Sequence, residues 1–167
     1  MDAESKKTAL RMIPYGIYVL TTQDAAGQIA AATVNWVTQT AFAPPLVAVA
    51  VKADSGAYAT LKKAGTFALN MLGKGQQPMA FAFFKPTQVA DGKLSGHAYR
   101  AGTTGAPLLT EAAAAVECRL TDIIERGDHH LVLGEVVAAY VHRAPEGRPD
   151  AGVLEMKDLG EKVFYGG

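Results

Sequence analysis

The chain has 167 residues, of which 49% are apolar and 19% are charged, a composition typical of one globular domain. Sixteen acidic and sixteen basic residues balance to a formal net charge of zero, so no overall field favours binding to nucleic acid. The single cysteine, Cys118, excludes an intrachain disulfide and a cysteine-based metal cluster. Because Cys118 lies inside a predicted strand, we expect it to be a buried structural thiol.

The beginning of the chain is charged and lacks the apolar core of a secretory signal. No apolar run approaches the roughly twenty residues that a membrane helix needs. We therefore expect a cytoplasmic protein without membrane contact. The prediction is one domain over residues 1–167, with an N-terminal helix in residues 1–12 and a C-terminal tail over 144–167.

The first half of the chain predicts strands separated by short helices. Aromatic and β-branched residues predict a first strand over 15–22, and a turn at 23–27 leads to a second strand over 28–39. These two strands are expected to pair as a hairpin. The remaining elements of this half are a strand over 45–52, a helix over 55–65, a strand over 66–72 and a helix over 76–85.

The second half predicts a long loop with short strands over 86–107, followed by two long strands. The strands, over 112–127 and 129–143, are expected to form an antiparallel pair that turns at Gly127-Asp128. The alanine-rich start at 112 would also suit a helix, but the β-branched alternation that follows favours a strand. About six or seven apolar strands with so few helices favour a closed or nearly closed antiparallel barrel.

Common catalytic and nucleotide-binding motifs are missing from the sequence. It contains no Gly-x-Gly-x-x-Gly, no phosphate-binding Gly-Lys-Ser/Thr loop, no His-Glu-x-x-His and no Gly-x-Ser-x-Gly. His129 and His130 are adjacent, so on a strand they point to opposite faces and cannot chelate one metal together. No metal site is predicted.

Eight segments together resemble the flavin reductase-like family, the FMN-binding split barrels. They occur in the family's order between about residue 11 and residue 167, and they are jointly specific although each is weak alone. The segments are GIYVLTT, ATVNWVTQTAFAPPLVAVAVKADS, GTFALNML, AFAFFKP, TGAPLL, VECRL, ERGDHHLVLGEVV and FYGG.

The resemblance implies a mainly β fold, a six-stranded antiparallel split barrel with a few flanking short helices, which forms a homodimer. It also implies non-covalent FMN near the subunit interface and hydride transfer to flavin from NADH or NADPH. The acceptor would be free flavin, a separate partner oxygenase or ferric iron. Because some members of the family mainly carry flavin, the alternative is an electron-carrier module without pyridine-nucleotide activity.

A flavin ring needs hydrogen-bonding groups at its edge and apolar surface over its faces. By resemblance, the segment that contacts this ring consists of Thr33, Val34, Asn35, Trp36, Val37 and Thr38. The residues alone leave a plainer interpretation open, in which Asn35 and Trp36 start a turn and plug the end of the barrel.

Phosphate needs positive charge and hydrogen-bond donors. Lys52, followed by Ser55 at the start of a predicted helix, brings together an ammonium group, a hydroxyl and helix N-terminal N–H groups. Tyr58 could add a phenol, and Lys85 is a second candidate cation, with Phe84 beside the ring or the dimer interface. The plainer interpretation makes the two lysines solvated surface residues and Ser55 a helix cap.

His129 is the candidate catalytic residue. In the run Gly127-Asp128-His129 it resembles the family histidine that lies beside the flavin and can contact the nicotinamide. Otherwise it is a turn residue that caps the hairpin. Hydride transfer between two cofactors demands orientation rather than an acid–base pair. The sequence does not indicate NADH or NADPH, because no cluster of Arg or Lys marks a 2′-phosphate site.

Overall fold

A computed structural model describes residues 1–167, with three α-helices, eleven β-strands and two short 3-10 helices. The helices are α1 (Ala3–Arg11), α2 (Gly56–Ala64) and α3 (Gln77–Ala82), and the 3-10 helices are Pro149–Gly152 and Met156–Leu159. The strands are β1 (Tyr18–Gln23), β2 (Ile29–Val34), β3 (Val37–Phe42), β4 (Pro45–Lys52), β5 (Thr66–Met71), β6 (Val89–Ala90), β7 (Lys93–Leu94), β8 (His97–Ala101), β9 (Pro107–Leu109), β10 (Ala114–Ile124) and β11 (His129–Val141). None of the helices has the length and apolar character needed to span a lipid bilayer.

Seven strands form one antiparallel sheet in the order β2-β1-β5-β10-β11-β4-β3, and β6 to β9 form a smaller sheet. The predicted mainly β, antiparallel fold with few helices is confirmed. The large sheet has seven strands rather than the expected six, and hydrogen-bonded pairing does not close it into a barrel.

The seventh strand arises because the segment predicted as one strand over 28–39 is split at Asn35 and Trp36. The two parts, β2 and β3, lie at opposite edges of the large sheet. Consecutive Cα atoms are 3.8 Å apart, so the steps from Val34 to Val37 span at most about 11 Å. The sheet must therefore curve until its two edges approach each other at this link.

The core reflects this curvature. One cluster of twelve buried residues contains side chains from both sides of the link, including Val34 of β2 and Val49 of β4, together with residues of α2 and the central strands. Cys118 belongs to it, and burial together with the charge of Glu117 raises the pKa of its thiol to about 12. The predicted buried thiol is confirmed.

A second cluster of twelve buried residues lies under α3 and includes Leu154 and Leu159. Leu154 is completely buried, and its backbone N–H donates to the carbonyl of Leu72 at 2.8 Å. Part of the predicted tail over 144–167 is therefore packed into the core.

Close packing inside the large sheet requires glycine at position 134. A Cβ atom there would lie 2.6 Å from Cζ of Phe67 and 2.9 Å from Cβ of Cys118. Both neighbours are completely buried, so neither can move into solvent.

Glu117 is a completely buried carboxylate that organises the loop before β9. It accepts four hydrogen bonds of 2.5 to 2.8 Å, from the backbone N–H of Thr103, from the N–H and the hydroxyl of Thr104, and from the hydroxyl of Tyr140. Burial alone would raise the pKa of Glu117, but these donors favour the ionised form and the net result is a lowered pKa.

Replacing Gly134 with Ala should lower the free energy of unfolding by about 1–3 kcal/mol, because the added methyl group overpacks the core against Phe67. Urea denaturation would measure the change. The matched control is Gly152→Ala, where no atom lies within 4 Å of the added Cβ. Equal stability of the two variants would contradict the packing argument.

Replacing Glu117 with Gln should lower the free energy of unfolding at pH 7 by about 1–3 kcal/mol, because the amide presents N–H groups to donors. The folded-state pKa of Glu117 is below its ordinary value of 4.5, so its stabilisation is present above pH 4.5 and is lost as the pH falls through the folded-state pKa. The difference between the wild type and the variant, measured by urea denaturation at several pH values, should shrink in that acidic range.

The matched control for this prediction is Glu146→Gln, since Glu146 is exposed and makes no hydrogen bond. It should leave the unfolding free energy unchanged at every pH. A Glu117→Gln effect that does not depend on pH would show that shape rather than charge matters at this position.

Candidate functional site

A cavity of about 310 Å³ lies where the link between β2 and β3, the ends of β4 and β11, and the last residues of the chain come together. Twelve of its seventeen lining residues are hydrophobic, and they include Ile17, Val51 and Phe83. The other five are polar, namely Thr33, Asn35, Lys52, Ser55 and His129, and Tyr165 among the hydrophobic residues adds a hydroxyl group.

Strand pairing brings these distant residues together. His129, the first residue of β11, is the register partner of Lys52, the last residue of β4. On the other side of β4, the N–H of Ala50 donates to the carbonyl of Trp36 at 3.0 Å. The polar ends of three separate segments therefore meet at one end of the curved sheet.

Asn35 lines this cavity, and Trp36 lies behind it against two lining residues. The amide of Asn35 is buried and donates through Nδ2 to the carbonyl of Tyr165 at 3.0 Å. The Trp36 ring lies 4.7 Å from the His129 ring and 5.5 Å from the Tyr165 ring. Its indole Nε1 is buried and has no hydrogen-bond acceptor. A buried N–H without an acceptor is costly, so this donor fits a ligand that carries an acceptor.

His129 is held at both ring nitrogens. Nδ1 lies 3.0 Å from Oδ1 of Asp128, and Nε2 lies 2.7 Å from the hydroxyl of Tyr165. The His129 side chain is only 11% exposed, and its hydrogen bond with Asp128 lowers the pKa of that carboxyl group. The imidazole is therefore fixed in orientation rather than free in solvent.

Lys52 and Ser55 also line the cavity. The Ser55 hydroxyl donates to the Lys52 carbonyl at 2.7 Å and accepts from the Tyr58 N–H at 3.1 Å, so Ser55 is the N-cap of α2. Gly56 and Ala57 begin this helix and have no intrahelical acceptor for their N–H groups. Lys52 lies 3.1 Å from Asp54 in an exposed ion pair. These groups together can neutralise an anion.

Tyr58 does not line the cavity. Its ring is buried, and its hydroxyl donates to Oε1 of Glu125 at 2.9 Å and contacts Nδ1 of His130 at 2.7 Å. Burial and the neighbouring carboxylate raise the pKa of Tyr58. His130 points away from His129, as expected for adjacent strand residues, and packs against this phenol.

The other predicted site residues are divided between the cavity and its surroundings. Thr33, Val34 and Phe84 line it, and the Thr33 hydroxyl donates to the Ala80 carbonyl at 2.7 Å, which ties α3 to β2. Four predicted residues lie outside its lining, namely Trp36, Val37, Thr38 and Lys85. Of these, Trp36 contacts residues of the site, whereas Lys85 is exposed beyond it.

Residues near the end of the chain also line the cavity, and none of them was predicted as a site residue. They are Met156, Leu159, Val163, Phe164 and Tyr165. The one indication in the sequence was the aromatic pair Phe164-Tyr165, which is part of the segment FYGG that resembles the family. Tyr165 is 36 positions from His129, so the sequence alone does not indicate their contact. No group of three or more His, Cys, Asp or Glu side chains is placed to hold a metal ion.

Several known proteins are similar to this chain in sequence, and a solved structure among them is also similar in fold. The chain is 31% identical over 151 residues to the FMN reductase (NADH) RutF of Methylorubrum extorquens. The alignment covers 90% of this chain and 71% of that protein. Over 137 residues the chain is 30% identical to the stachydrine N-demethylase reductase subunit Stc3 of Rhizobium meliloti, with 82% and 58% covered. The structure of an NADH:FAD oxidoreductase of Streptomyces globisporus matches with a TM-score of 0.67 and 31% identity, covering 77% of this chain and 76% of that one.

The chain spans about half the length of the first curated relatives that it matches, between 43% and 58%. The family model for the flavin reductase like domain matches residues 10–156, which include the link between β2 and β3, the end of β4 and His129. The protein therefore belongs to the flavin reductase like domain family.

Proposed function

We propose that the protein is an FMN-dependent oxidoreductase that transfers hydride from NADH or NADPH to flavin. One observation carries the proposal: a single apolar cavity is lined by Asn35 and His129 and also by Lys52 and Ser55, the N-cap of α2. A flavin mononucleotide has matching parts, a flat ring with a polar edge and a phosphate.

The residues of the cavity fit non-covalent FMN. The apolar walls would cover the faces of the ring, and the Asn35 amide is a donor suited to the polar atoms at its edge. Lys52 and the first N–H groups of α2 would hold the phosphate through charge and hydrogen bonds. When bound, FMN supplies the capacity to accept a hydride.

The work left to the chain is to orient the reactants and exclude water. Asp128 holds Nδ1 of His129, so Nε2, which lies against the Tyr165 hydroxyl, is the nitrogen that would contact the nicotinamide. Asn35 is held in place at the turn between β2 and β3, which makes it a fixed donor. No residue needs to transfer a proton for the hydride to move.

The relatives support the use of a flavin and of a nicotinamide coenzyme, since they include an FMN reductase (NADH) and an NADH:FAD oxidoreductase. A reductase subunit of a demethylase among them supports transfer of electrons to a separate partner oxygenase. With a nicotinamide coenzyme as co-substrate, we place the protein in the cytoplasm. A flavin-binding electron carrier without nicotinamide activity is the alternative function.

A homodimer of the split-barrel type completes the proposal. Edge strand β3 leaves the backbone groups on its outer side unpaired, and Phe42 at its end is 91% exposed. Phe81 and Phe84, an edge-to-face pair with ring centroids 5.3 Å apart, add exposed aromatic surface beside the cavity. Exposed apolar surface next to an unpaired strand edge is typical of a surface that a second subunit covers.

Purified protein should bind FMN, and anaerobic NADH or NADPH should bleach the absorbance of the bound flavin. Lys52→Ala should weaken FMN binding roughly ten- to hundredfold, because it removes one charge-assisted hydrogen bond to the phosphate. The matched control is Lys63→Ala, since Lys63 is exposed on α2 outside the cavity.

FMN binding and reduction by the coenzymes together distinguish the oxidoreductase from the electron carrier. A protein that does not bind micromolar FMN is not a flavin enzyme. One that binds FMN but is not reduced by either coenzyme is the electron carrier of the alternative. Equal loss of affinity in Lys52→Ala and Lys63→Ala would show that Lys52 has no specific phosphate contact.

Phe42→Asp should convert the proposed dimer to a monomer, because it places a charge on the apolar surface at the end of β3. Analytical ultracentrifugation would measure the molar mass of both proteins. Val89→Asp is a control, since Val89 is also an exposed apolar residue but lies in the small sheet. A monomeric wild type would disprove the dimer.

A further inference from the structure

A second cavity of about 550 Å³ lies beside the first, between the end of α1 and residues 155–161. Four residues line both cavities: Met156, Val163, Phe164 and Tyr165. The segment over 163–165, here called the shared wall, therefore separates the two spaces.

Tyr165 in the shared wall contacts the same side chains that are expected to meet ligands. Its hydroxyl lies 2.7 Å from Nε2 of His129, and its carbonyl accepts from the Asn35 amide at 3.0 Å. Its ring lies 5.5 Å from the Trp36 ring and 5.6 Å from the His129 ring. Tyr165 thus fills an aromatic slot between Trp36 and His129 and occupies the imidazole nitrogen that Asp128 leaves free.

The first cavity is too small for two reactants. Its volume of about 310 Å³ is at the lower limit of the roughly 300–1,000 Å³ that a single ligand site occupies. Hydride transfer requires a nicotinamide ring in contact with a flavin ring, so both must share one space. Movement of the shared wall would join the cavities into a space more than twice as large as the first.

The shared wall is weakly held. Within residues 161–167 a single backbone hydrogen bond is made, from the N–H of Val163 to the carbonyl of Gly160. Phe164 and Tyr165 are 52% and 49% exposed, and Arg11 contacts the segment through an exposed hydrogen bond to Gly166 and by lying over the Phe164 ring. Segments with few buried contacts and few backbone hydrogen bonds open at low free-energy cost.

The indole of Trp36 points to the same conclusion. A Cβ atom at Gly166 would lie 3.7 Å from Nε1 of Trp36, so the segment covers this N–H, yet it supplies no acceptor. A ligand with a carbonyl oxygen at this place would satisfy the donor that the chain leaves unpaired.

We propose that Tyr165 is an internal ligand of His129 that the nicotinamide ring of the coenzyme must displace, and that its displacement joins the two cavities. The proposal rests on the function proposed above. The ligand class is a planar aromatic carboxamide, whose ring replaces the phenol and whose carbonyl oxygen accepts from Trp36. Tyr165 then sets the affinity for the coenzyme without contributing to the transfer step.

Tyr165→Phe tests this competition, because it removes the hydrogen bond to His129 and keeps the ring. The KM for NADH should fall about two- to tenfold, the change expected from one lost hydrogen bond, while kcat stays the same. Tyr165→Ala, which also empties the slot, should lower the KM further. Tyr99→Phe is the control, since the Tyr99 hydroxyl lies outside both cavities.

A binding measurement gives a readout besides activity. Trp36 is the only tryptophan of the chain, so intrinsic fluorescence reports directly on its contact with Tyr165. Titration with NAD⁺, which cannot deliver a hydride, should change this fluorescence in the FMN-loaded wild type. The midpoint should shift to lower NAD⁺ concentration in Tyr165→Phe and not in Tyr99→Phe.

The possible failures are distinguishable. If the wild type binds FMN and oxidises NADH but Tyr165→Phe changes neither KM nor the NAD⁺ midpoint, the internal-ligand proposal is wrong and the proposed function stands. A lower kcat at constant KM would instead make Tyr165 a residue that positions His129, which also overturns the proposal. If the wild type does not bind FMN, the proposed function is wrong. In that case NAD⁺ is titrated into the flavin-free wild type and into Tyr165→Ala, and equal midpoints would overturn the internal-ligand proposal as well.

Discussion

The covalent link of Asn35 and Trp36 between the two edge strands is the constraint on which the rest of the structure depends. Because β2 and β3 lie at opposite edges of a seven-stranded sheet, a connection of two residues is possible only if the sheet curves around. The curvature encloses a core that residues of both edges share. It also leaves the link at the end of the sheet, beside the ends of β4 and β11, where the cavity forms.

Most of the buried polar groups at the cavity pair with other groups of the chain. His129 and Asn35 both find partners in Tyr165, and Asp128 holds the other imidazole nitrogen. The indole N–H of Trp36 has no such partner. Since an unpaired buried donor costs free energy, the site is better matched to an added acceptor than to its own side chains. In the proposal made above, the contacts that Tyr165 makes to His129 and Asn35 are the ones with which a ligand would compete.

Much of this fold follows from local patterns. The helices over 3–11 and 56–64, the strands β1, β4 and β5, and the long antiparallel pair of β10 and β11 lie where propensity, capping and alternation predict them. The exception is the segment over 28–39, which was predicted as one strand although Asn35 and Trp36 also left a turn open. Its division depends on which neighbours β2 and β3 pair with, and pairing partners are distant in sequence.

The sequence by itself determined the element types, the family and two groups of candidate site residues, the segment over 33–38 and the pair Lys52 and Ser55. Each of these depends on residues that are near one another along the chain. Only the tertiary structure decided which candidates meet. Register pairing puts His129 opposite Lys52, whereas helix packing turns the Tyr58 phenol towards Glu125 and His130 and away from the cavity. Tyr165 enters the site from 36 positions beyond His129, and no local pattern encodes a contact across that distance. Such contacts follow from the curvature of the sheet, which is a property of the whole chain.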